Sequence, residues 1–392
     1  MRGGRARLWT LAMAGVGAAL AAGWSVRPTE SEVSDSAPST TELDIALYTR
    51  RTQEDPWSAA DYATLASLRL QHGREGGGLD DFRRAETAAR SSLALRTDRN
   101  DRTRLLLASS LLAQHRFGEA REEARAAVAA DTADVGARSL LAEIELELGD
   151  YAEADRQFTE LLPASTHLAV APRLARWHEV HGRLDEAYAL LVDTRDAAAR
   201  RADLPAEQMA WFHLRVGDFL LRHGDLTAAR DALEAGLEIR PDDPRLLGAL
   251  ARVEMLEGRL RRATALVERA GDGADLATLS LGGDAWTARG EPARAEIYYA
   301  EIERRAVAQA EPFNRQWTEF RVTHGRLLDE TIAILQEELK ERPDALGHDL
   351  LARALCAAGR MEEAARIRIP PRGEVPQCAA EAGALNQLSY AL

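Results

Sequence analysis

Aromatic residues and lysine are scarce in this chain. Only 5% of its 392 residues are aromatic, although 46% are hydrophobic, so a core has to be built mainly from Ala and Leu, which suits close packing of helices. Lysine occurs once, at Lys340, and the formal net charge is -13. Because binding to a phosphate backbone depends on clustered cations, we expect no nucleic-acid partner.

Motifs of catalysis and of metal binding are also missing. No G-x-S-x-G, Walker loop or dinucleotide fingerprint occurs in the sequence. His178, Glu179 and His181 come nearest to a zinc motif, but their two histidines lie three apart where that motif needs four. We therefore expect a protein that is not an enzyme, with no catalytic residue, no cofactor and no metal.

The first 24 residues predict a targeting segment. Arg2, Arg5 and Arg7 precede an apolar run over residues 8–24. At about 1.5 Å per residue the run spans roughly 25 Å, slightly less than the roughly 30 Å of a hydrocarbon core, so a cleaved signal peptide and a retained anchor both stay open. In either case we expect export across the cytoplasmic membrane, to the periplasmic or extracytoplasmic side. Residues 25–42 are rich in Ser, Thr, Pro and acids and predict a disordered linker.

A period of about 34 residues runs through the rest of the chain. The residue seven places before each turn is small, and five places after most turns stands an Ala. Small residues beside large ones let two helices pack closely, and a left-handed Gly ends a helix. The turn residues are Gly73, His115, Gly149, Gly182, Gly224, Gly258, Gly290, Gly325 and Gly359.

This pattern closely resembles the tetratricopeptide repeat family over roughly residues 59–369. The resemblance implies an all-α, right-handed helical-repeat solenoid of about nine helix pairs, placed at residues 43–369, with residues 370–392 as a C-terminal tail. It also implies a non-catalytic scaffold or adaptor that holds partner proteins or peptides on a concave surface. Two alternatives stay open: an accessory subunit of an envelope assembly or polymer-export enzyme complex and, more remotely, an RNA-binding helical repeat.

Departures from the pattern are local, and two of them lie in the first and the eighth pair. The first pair carries an insert at residues 75–81, whose run of three glycines should be flexible. The eighth pair has Leu327 at the apolar place two residues after the turn residue Gly325, and Glu330 at the place five residues after it, where Ala is expected.

One ionisable side chain per repeat lies six residues before the turn. In the family that this chain resembles, that place lines the concave face. The order of signs predicts the pairs Glu143–Arg176 and Asp218–Arg252 and leaves Asp284 next to Glu319. Either the charges satisfy one another as a ladder, or they bind a partner segment together with Trp211 at the groove edge; Asp284 and Glu319 would then favour a basic segment. The seven positions are Glu143, Arg176, Asp218, Arg252, Asp284, Glu319 and Arg353.

One class of partner is argued against by composition. Members of the family that bind chaperone tails use Lys and Asn on consecutive first helices to hold a terminal carboxylate. This chain has three Asn, and its single Lys lies on a predicted second helix. We therefore expect no binding of an acidic tail of the Hsp70/Hsp90 type.

The two cysteines, Cys356 and Cys378, lie near the C-terminus. An exported protein meets oxidising conditions, and a disulfide between them would add about 3 kcal/mol of stability and would fix the tail as a cap on the last repeat. Two separate thiols are the alternative.

Overall fold

The computed structural model describes residues 40–309 and 314–371. Helix α1 (Thr40–Glu54) opens this part of the chain, and nine helix pairs follow. The expected targeting segment, most of the expected linker, the tail from residue 372 and Cys378 lie outside the described residues. The pairs are α2 (Ala59–His72) with α3 (Leu79–Leu95), α4 (Asp101–Ala113) with α5 (Phe117–Ala130), α6 (Val135–Leu148) with α7 (Tyr151–Leu161), α8 (Ala171–Val180) with α9 (Leu184–Ala199), α10 (Ala206–Arg222) with α11 (Leu226–Ile239), α12 (Pro244–Leu256) with α13 (Leu260–Ala270), α14 (Leu276–Ala288) with α15 (Pro292–Gln309), α16 (Arg315–Thr323) with α17 (Leu328–Glu341), and α18 (Ala345–Ala357) with α19 (Met361–Ala364).

The helices stack in the order of the chain. Each helix packs against the next one, and most first helices also contact the first helix of the following pair, as α4 contacts α6 and α12 contacts α14. The core is therefore divided among neighbouring pairs instead of being gathered in one centre, as expected for a repeat array. The predicted all-α solenoid of helix pairs is confirmed for the described residues.

The turns inside the pairs have the predicted left-handed backbone. Gly149 has φ 81° and Gly224 has φ 82°, and His115 takes the same conformation with φ 57°. Gly73 differs, because its φ of -57° is helical and the chain continues as a π-helical segment to Gly77. A side chain at Gly73 would still clash, since a Cβ there would lie 2.6 Å from the ring of Phe82. The insert is thus shorter than predicted, and α3 begins already at Leu79.

The small residues predicted at the helix crossings are buried. Ala66, Ala142 and Ala352 on first helices, and Ala154 on a second helix, have no exposed surface. Gly217 serves the same purpose, because a Cβ there would lie 2.6 Å from the side chain of Leu233. Close helix packing therefore explains this part of the sequence pattern.

The eighth pair is shifted by one residue. Leu327 is left-handed (φ 49°) and exposed, and α17 begins only at Leu328. Thr331 consequently takes the buried place, with no exposed surface, while Glu330 is exposed. The prediction that Glu330 occupies the Ala position is wrong, because one extra turn residue rotates the second helix by about 100°.

Candidate functional site

Seven ionisable residues lie at equivalent places on consecutive first helices. One residue stands on each of α6, α8, α10, α12, α14, α16 and α18, and all seven are half-buried. We call the surface that carries them the ladder surface; its residues are Glu143, Arg176, Asp218, Arg252, Asp284, Glu319 and Arg353.

The N-terminal part of the ladder surface pairs differently from the prediction. Arg173 Nε donates to Glu143 Oε2 at 2.7 Å, and Arg176 lies 3.4 Å from Glu179. The predicted Glu143–Arg176 pair is therefore wrong: Glu143 pairs with Arg173 on the neighbouring first helix, and Arg176 pairs with Glu179 one turn later on its own helix. Burial alone would raise the pKa of Glu179, but Arg222, at 2.7 Å, outweighs it and lowers the pKa to about 2.

The C-terminal part satisfies its acids internally. Asp284 Oδ1 accepts hydrogen bonds from the Tyr299 hydroxyl and from His324 Nε2, both at 2.8 Å. Glu319 forms an ion pair with Arg353. Burial disfavours a charged imidazole, but the Asp284 carboxylate outweighs it and raises the pKa of His324 above its ordinary value. The prediction that Asp284 and Glu319 lack partners is wrong.

Helix α10 has charged groups without such partners. Among the described residues, the side chains of Arg215 and Asp218 form no hydrogen bond and no ion pair, and Arg215 Nε is buried with no acceptor. Burial raises the pKa of Asp218 although three arginines oppose it, and burial together with the Arg222 charge lowers the pKa of Arg215. The predicted Asp218–Arg252 ion pair is not formed, although the Arg252 charge acts on Asp218. Burial therefore acts against both α10 charges, and only the fields of nearby opposite charges oppose it, without a hydrogen bond to a described residue.

Trp211 lies on the same face of α10. It precedes Arg215 by four residues and Asp218 by seven, which places all three side chains in one row along the helix. Trp211 is half-buried, and the Arg215 guanidinium lies 5.9 Å from its ring centroid. We call these three residues the α10 stripe. The sequence prediction missed Arg215, although its spacing from Trp211 and Asp218 would have indicated it.

The connection between α17 and α18 contacts the N-terminal repeats. Arg342 Nε donates to the Glu147 carbonyl oxygen, 195 residues earlier, at 2.7 Å, and its guanidinium pairs with the Glu147 carboxylate. The guanidinium carbon also lies 3.9 Å from the centroid of the Phe117 ring. The Ala345 N–H donates to the Tyr151 hydroxyl at 2.7 Å. We call this contact, between residues 342–345 and helices α5 to α7, the clasp.

Residues on both sides of the clasp allow its close contact: a glycine on one side and an arginine that holds the connection on the other. A Cβ at Gly149 would lie 2.7 Å from the carbonyl carbon and oxygen of Pro343, so only glycine allows this approach. On the other side, the Arg315 guanidinium donates to both oxygens of Asp344, at 2.6 and 2.7 Å, and to Glu338 at 2.7 Å. These bonds fix the connection before α18 in the conformation that meets Gly149.

A cavity of about 510 Å³ lies beside the clasp. Its walls come from both ends of the array and include Glu143 and Arg176 of the ladder surface. Burial, followed by the charges of Arg342 and Arg315, lowers the pKa of the cavity residue His115 to about 4, so its imidazole is neutral at physiological pH. The apolar lining consists of Leu79, Phe82, Leu112, Ala113, Phe117, Leu146, Val180, Ala345 and Leu346.

The predictions about a metal site, a membrane segment and a disulfide can be examined only in the described part of the chain. Across residues 40–309 and 314–371 there is no group of three or more His, Cys, Asp or Glu that could hold a metal, and none of the helices there has the length and apolar character that a membrane crossing requires. Cys356 is disulfide-bonded. Because Cys378 lies outside the described residues, the bridge between the two stays a prediction.

Comparison with known proteins identifies the repeat. Residues 220–277, from the end of α10 to the start of α14, match the family model of the tetratricopeptide repeat. No curated protein matches the chain.

Several solved structures are similar to this chain. The human IFIT1 dimer with PPP-AAAA is 17% identical with a TM-score of 0.50, over 76% of this chain and 70% of that chain. PilW, a type IV pilus biogenesis factor, is 19% identical with a TM-score of 0.43, over 56% of this chain and 97% of its own. PilF of Pseudomonas aeruginosa is 15% identical with a TM-score of 0.34, over 72% and 99%. At 17% identity, the likeness to the IFIT1 structure concerns the fold alone. Residues 220–277 are therefore tetratricopeptide repeat, as the family model shows, and the described helix pairs on either side repeat the same arrangement of two helices and a turn.

Proposed function

We propose that this chain is a non-catalytic scaffold that holds partner proteins or peptides on the ladder surface, with the α10 stripe at its centre. One observation carries the proposal: on half-buried α10, the Arg215 Nε is buried with no acceptor, and the Asp218 carboxylate one turn later has no hydrogen bond or ion pair with a described residue. Such groups cost folding free energy, and buried polar atoms without partners are uncommon in folded proteins. A ligand that bonds them accounts for their presence.

The chemistry of the stripe suits a polypeptide segment. Trp211 offers a half-buried aromatic face, and aromatic residues with arginine are the side chains that most often dominate protein interfaces. Arg215 and Asp218 add one donor group and one acceptor group within a single helical turn. An extended or helical segment could place its own polar groups against both.

We further propose that the scaffold works on the extracytoplasmic side. The basic residues Arg2, Arg5 and Arg7, followed by the apolar run 8–24, support export, although this segment lies outside the described residues. Whether the run stays as an anchor decides between a soluble and a membrane-attached scaffold. Amino-terminal sequencing of the mature protein answers that question.

The test begins with the partner itself. The tagged full-length chain is purified from its native membrane fraction, and the captured protein is identified by mass spectrometry and then produced alone. Its affinity is measured for the wild type and for Trp211→Ala and Arg215→Ala. Arg304→Ala is the control, because Arg304 is an exposed arginine that pairs with Glu301 three residues earlier on its own helix.

We expect Arg215→Ala and Trp211→Ala each to weaken binding by about tenfold or more, with unchanged helix content by circular dichroism, and Arg304→Ala to bind as the wild type does. Wild-type affinity in both stripe variants would contradict the proposal. If the captured protein is an enzyme of envelope assembly or polymer export, the chain is its accessory subunit. A gel-shift assay at low salt tests the prediction that nucleic acid is not a partner.

A further inference from the structure

The clasp lies over one end of the ladder surface. Glu143 and Arg176 line the cavity on one side, and Arg342, Asp344 and Leu346 line it on the other. A segment that extends from the α10 stripe along the first helices towards α6 therefore meets the chain's own α17–α18 connection. In this conformation the N-terminal end of the ladder surface faces the cavity: the Glu143 and Arg176 side chains keep 32% and 25% of their surface exposed, but the clasp lies across the path of a polypeptide segment.

The bonds of the clasp are polar and few. Arg342 contributes its hydrogen bond to the Glu147 carbonyl, its ion pair with the Glu147 carboxylate and its contact with the Phe117 ring, and Ala345 contributes one hydrogen bond to Tyr151. All of these groups can exchange their partners for water when the contact opens.

No apolar core holds the clasp together. In the described part of the chain, the buried cluster that contains Leu335 and Leu350 stays within α16 to α19, and the clusters that contain Leu107 and Phe158 stay within the N-terminal repeats. The repeats on each side thus keep their own cores when the two sides separate. Contacts with little buried apolar surface are those that open locally without global unfolding.

We propose that the clasp is a gate, whose opening admits a partner segment to the cavity and to the ladder positions Glu143 and Arg176. This inference rests on the proposed function for its purpose, but the opening itself is a property of the chain alone. A partner that binds only the open form shifts the population towards it. The gate thereby favours segments that make enough contacts to replace those of the clasp.

Two glycines of the chain allow a matched test. Gly149 and Gly224 occupy the same left-handed turn position, with φ 81° and 82°, and each is followed by Asp. A Cβ at Gly149 would clash with Pro343, whereas a Cβ at Gly224 would meet nothing within 4 Å. Gly149→Ala and Gly224→Ala therefore carry the same backbone strain, but only Gly149→Ala pushes the clasp apart.

The readout is the reactivity of a cysteine inside the cavity. Ala113 lines the cavity, so Ala113→Cys introduces a thiol there with a small change in volume, while the native Cys356 is disulfide-bonded. The rate of labelling by a maleimide on a branched polyethylene glycol is measured in the full chain, alone and combined with each glycine variant. A small thiol reagent, which can enter the closed cavity, is the reference.

We expect Gly149→Ala to raise the rate for the bulky reagent by about tenfold, while Gly224→Ala changes it by less than about twofold and neither changes the rate for the small reagent much. Arg342→Ala, which removes the clasp's ion pair without altering a turn, should raise the bulky rate in the same direction. It replaces Gly149→Ala if that variant does not fold.

Equal bulky-reagent rates in all variants would overturn the gate. So would a wild-type rate as fast as that of an exposed cysteine, because the cavity would then be open already. Since no partner takes part in this experiment, a failure of the proposed scaffold function would leave its outcome unchanged.

Discussion

Helix α10 and helices α14 to α16 present the same repeat position to the same surface, yet they treat its charge in different ways. Asp218 on α10 has no hydrogen bond among the described residues, and burial raises its pKa. Asp284 on α14 is held by Tyr299 and His324, and Glu319 on α16 by Arg353. Position in the repeat therefore does not decide whether a charged side chain is bonded within the fold. The neighbouring helix decides it, by placing a partner within reach or failing to do so.

The largest expected loss of stability comes from removing the acids that have partners, Asp284 and Glu319. Reversal of both acids, Asp284→Arg with Glu319→Arg, puts guanidinium groups against His324 and Arg353. We expect the free energy of unfolding to fall by about 3 kcal/mol or more, measured by urea denaturation. Asp218→Asn is the control, and a double reversal as stable as this control would show that the observed bonds contribute nothing.

A smaller loss of stability is expected when the two arginines Arg353 and Arg215 are each replaced by alanine and compared. Arg353→Ala leaves the half-buried Glu319 without its ion pair, so we expect a loss of about 2 kcal/mol. Arg215→Ala removes a cation whose pKa burial already lowers, and stability should stay within about 0.5 kcal/mol of the wild type. Urea midpoints of the two variants check this difference. Equal losses would mean that Arg215 has a structural partner after all.

The change of folding stability with pH that comes from His324 and Asp284 should be smaller still. Because the folded state raises the pKa of His324 above the ordinary 6.5, its contribution to stability is fully present below pH 6.5 and is lost as the pH rises through the folded value. We expect the difference in urea midpoint between the wild type and His324→Gln to shrink from below pH 6.5 to well above it. A difference that does not change with pH would show that the imidazole is not charged against Asp284.

The smallest effect concerns Asp218 itself. Its pKa is raised above the ordinary 3.8, so the stability that protonation provides is present at low pH and is lost as the pH rises through the folded value. Asp218→Asn, which keeps the shape without the charge, should therefore stabilise the chain by about 0.5 kcal/mol at neutral pH. The gain should shrink as the pH falls, and thermal melts at several pH values measure it. A loss at neutral pH would indicate that the neighbouring arginines depend on this carboxylate.

Local geometry explains which parts of the array could be predicted. Small residues such as Ala142 and Ala352 recur because two helices crossing closely leave no room for a larger side chain, and a left-handed residue such as Gly149 ends a first helix wherever it stands. These requirements act within one pair, so one pair's sequence reveals them. The shift at Leu327 escaped prediction because a single extra turn residue leaves the spacing of the glycines nearly unchanged.

The ladder surface could be located from the sequence, but its bonds could not. Arg173 instead of Arg176 bonds Glu143, and His324, a residue of the next pair, bonds Asp284. These choices depend on how far each pair is rotated against its neighbour, and differences of a few ångström change the partner of a charged side chain.

The sequence by itself determined the repeat and the number of helix pairs in the described residues. It also determined the positions of the close helix crossings and the surface that carries the charged residues. Each of these follows from contacts between residues a few positions apart or one repeat apart. Only the tertiary structure decided that Arg342 meets Glu147, 195 residues earlier. That contact arises from the small rotation between pairs, summed over several repeats, and no single repeat encodes the sum.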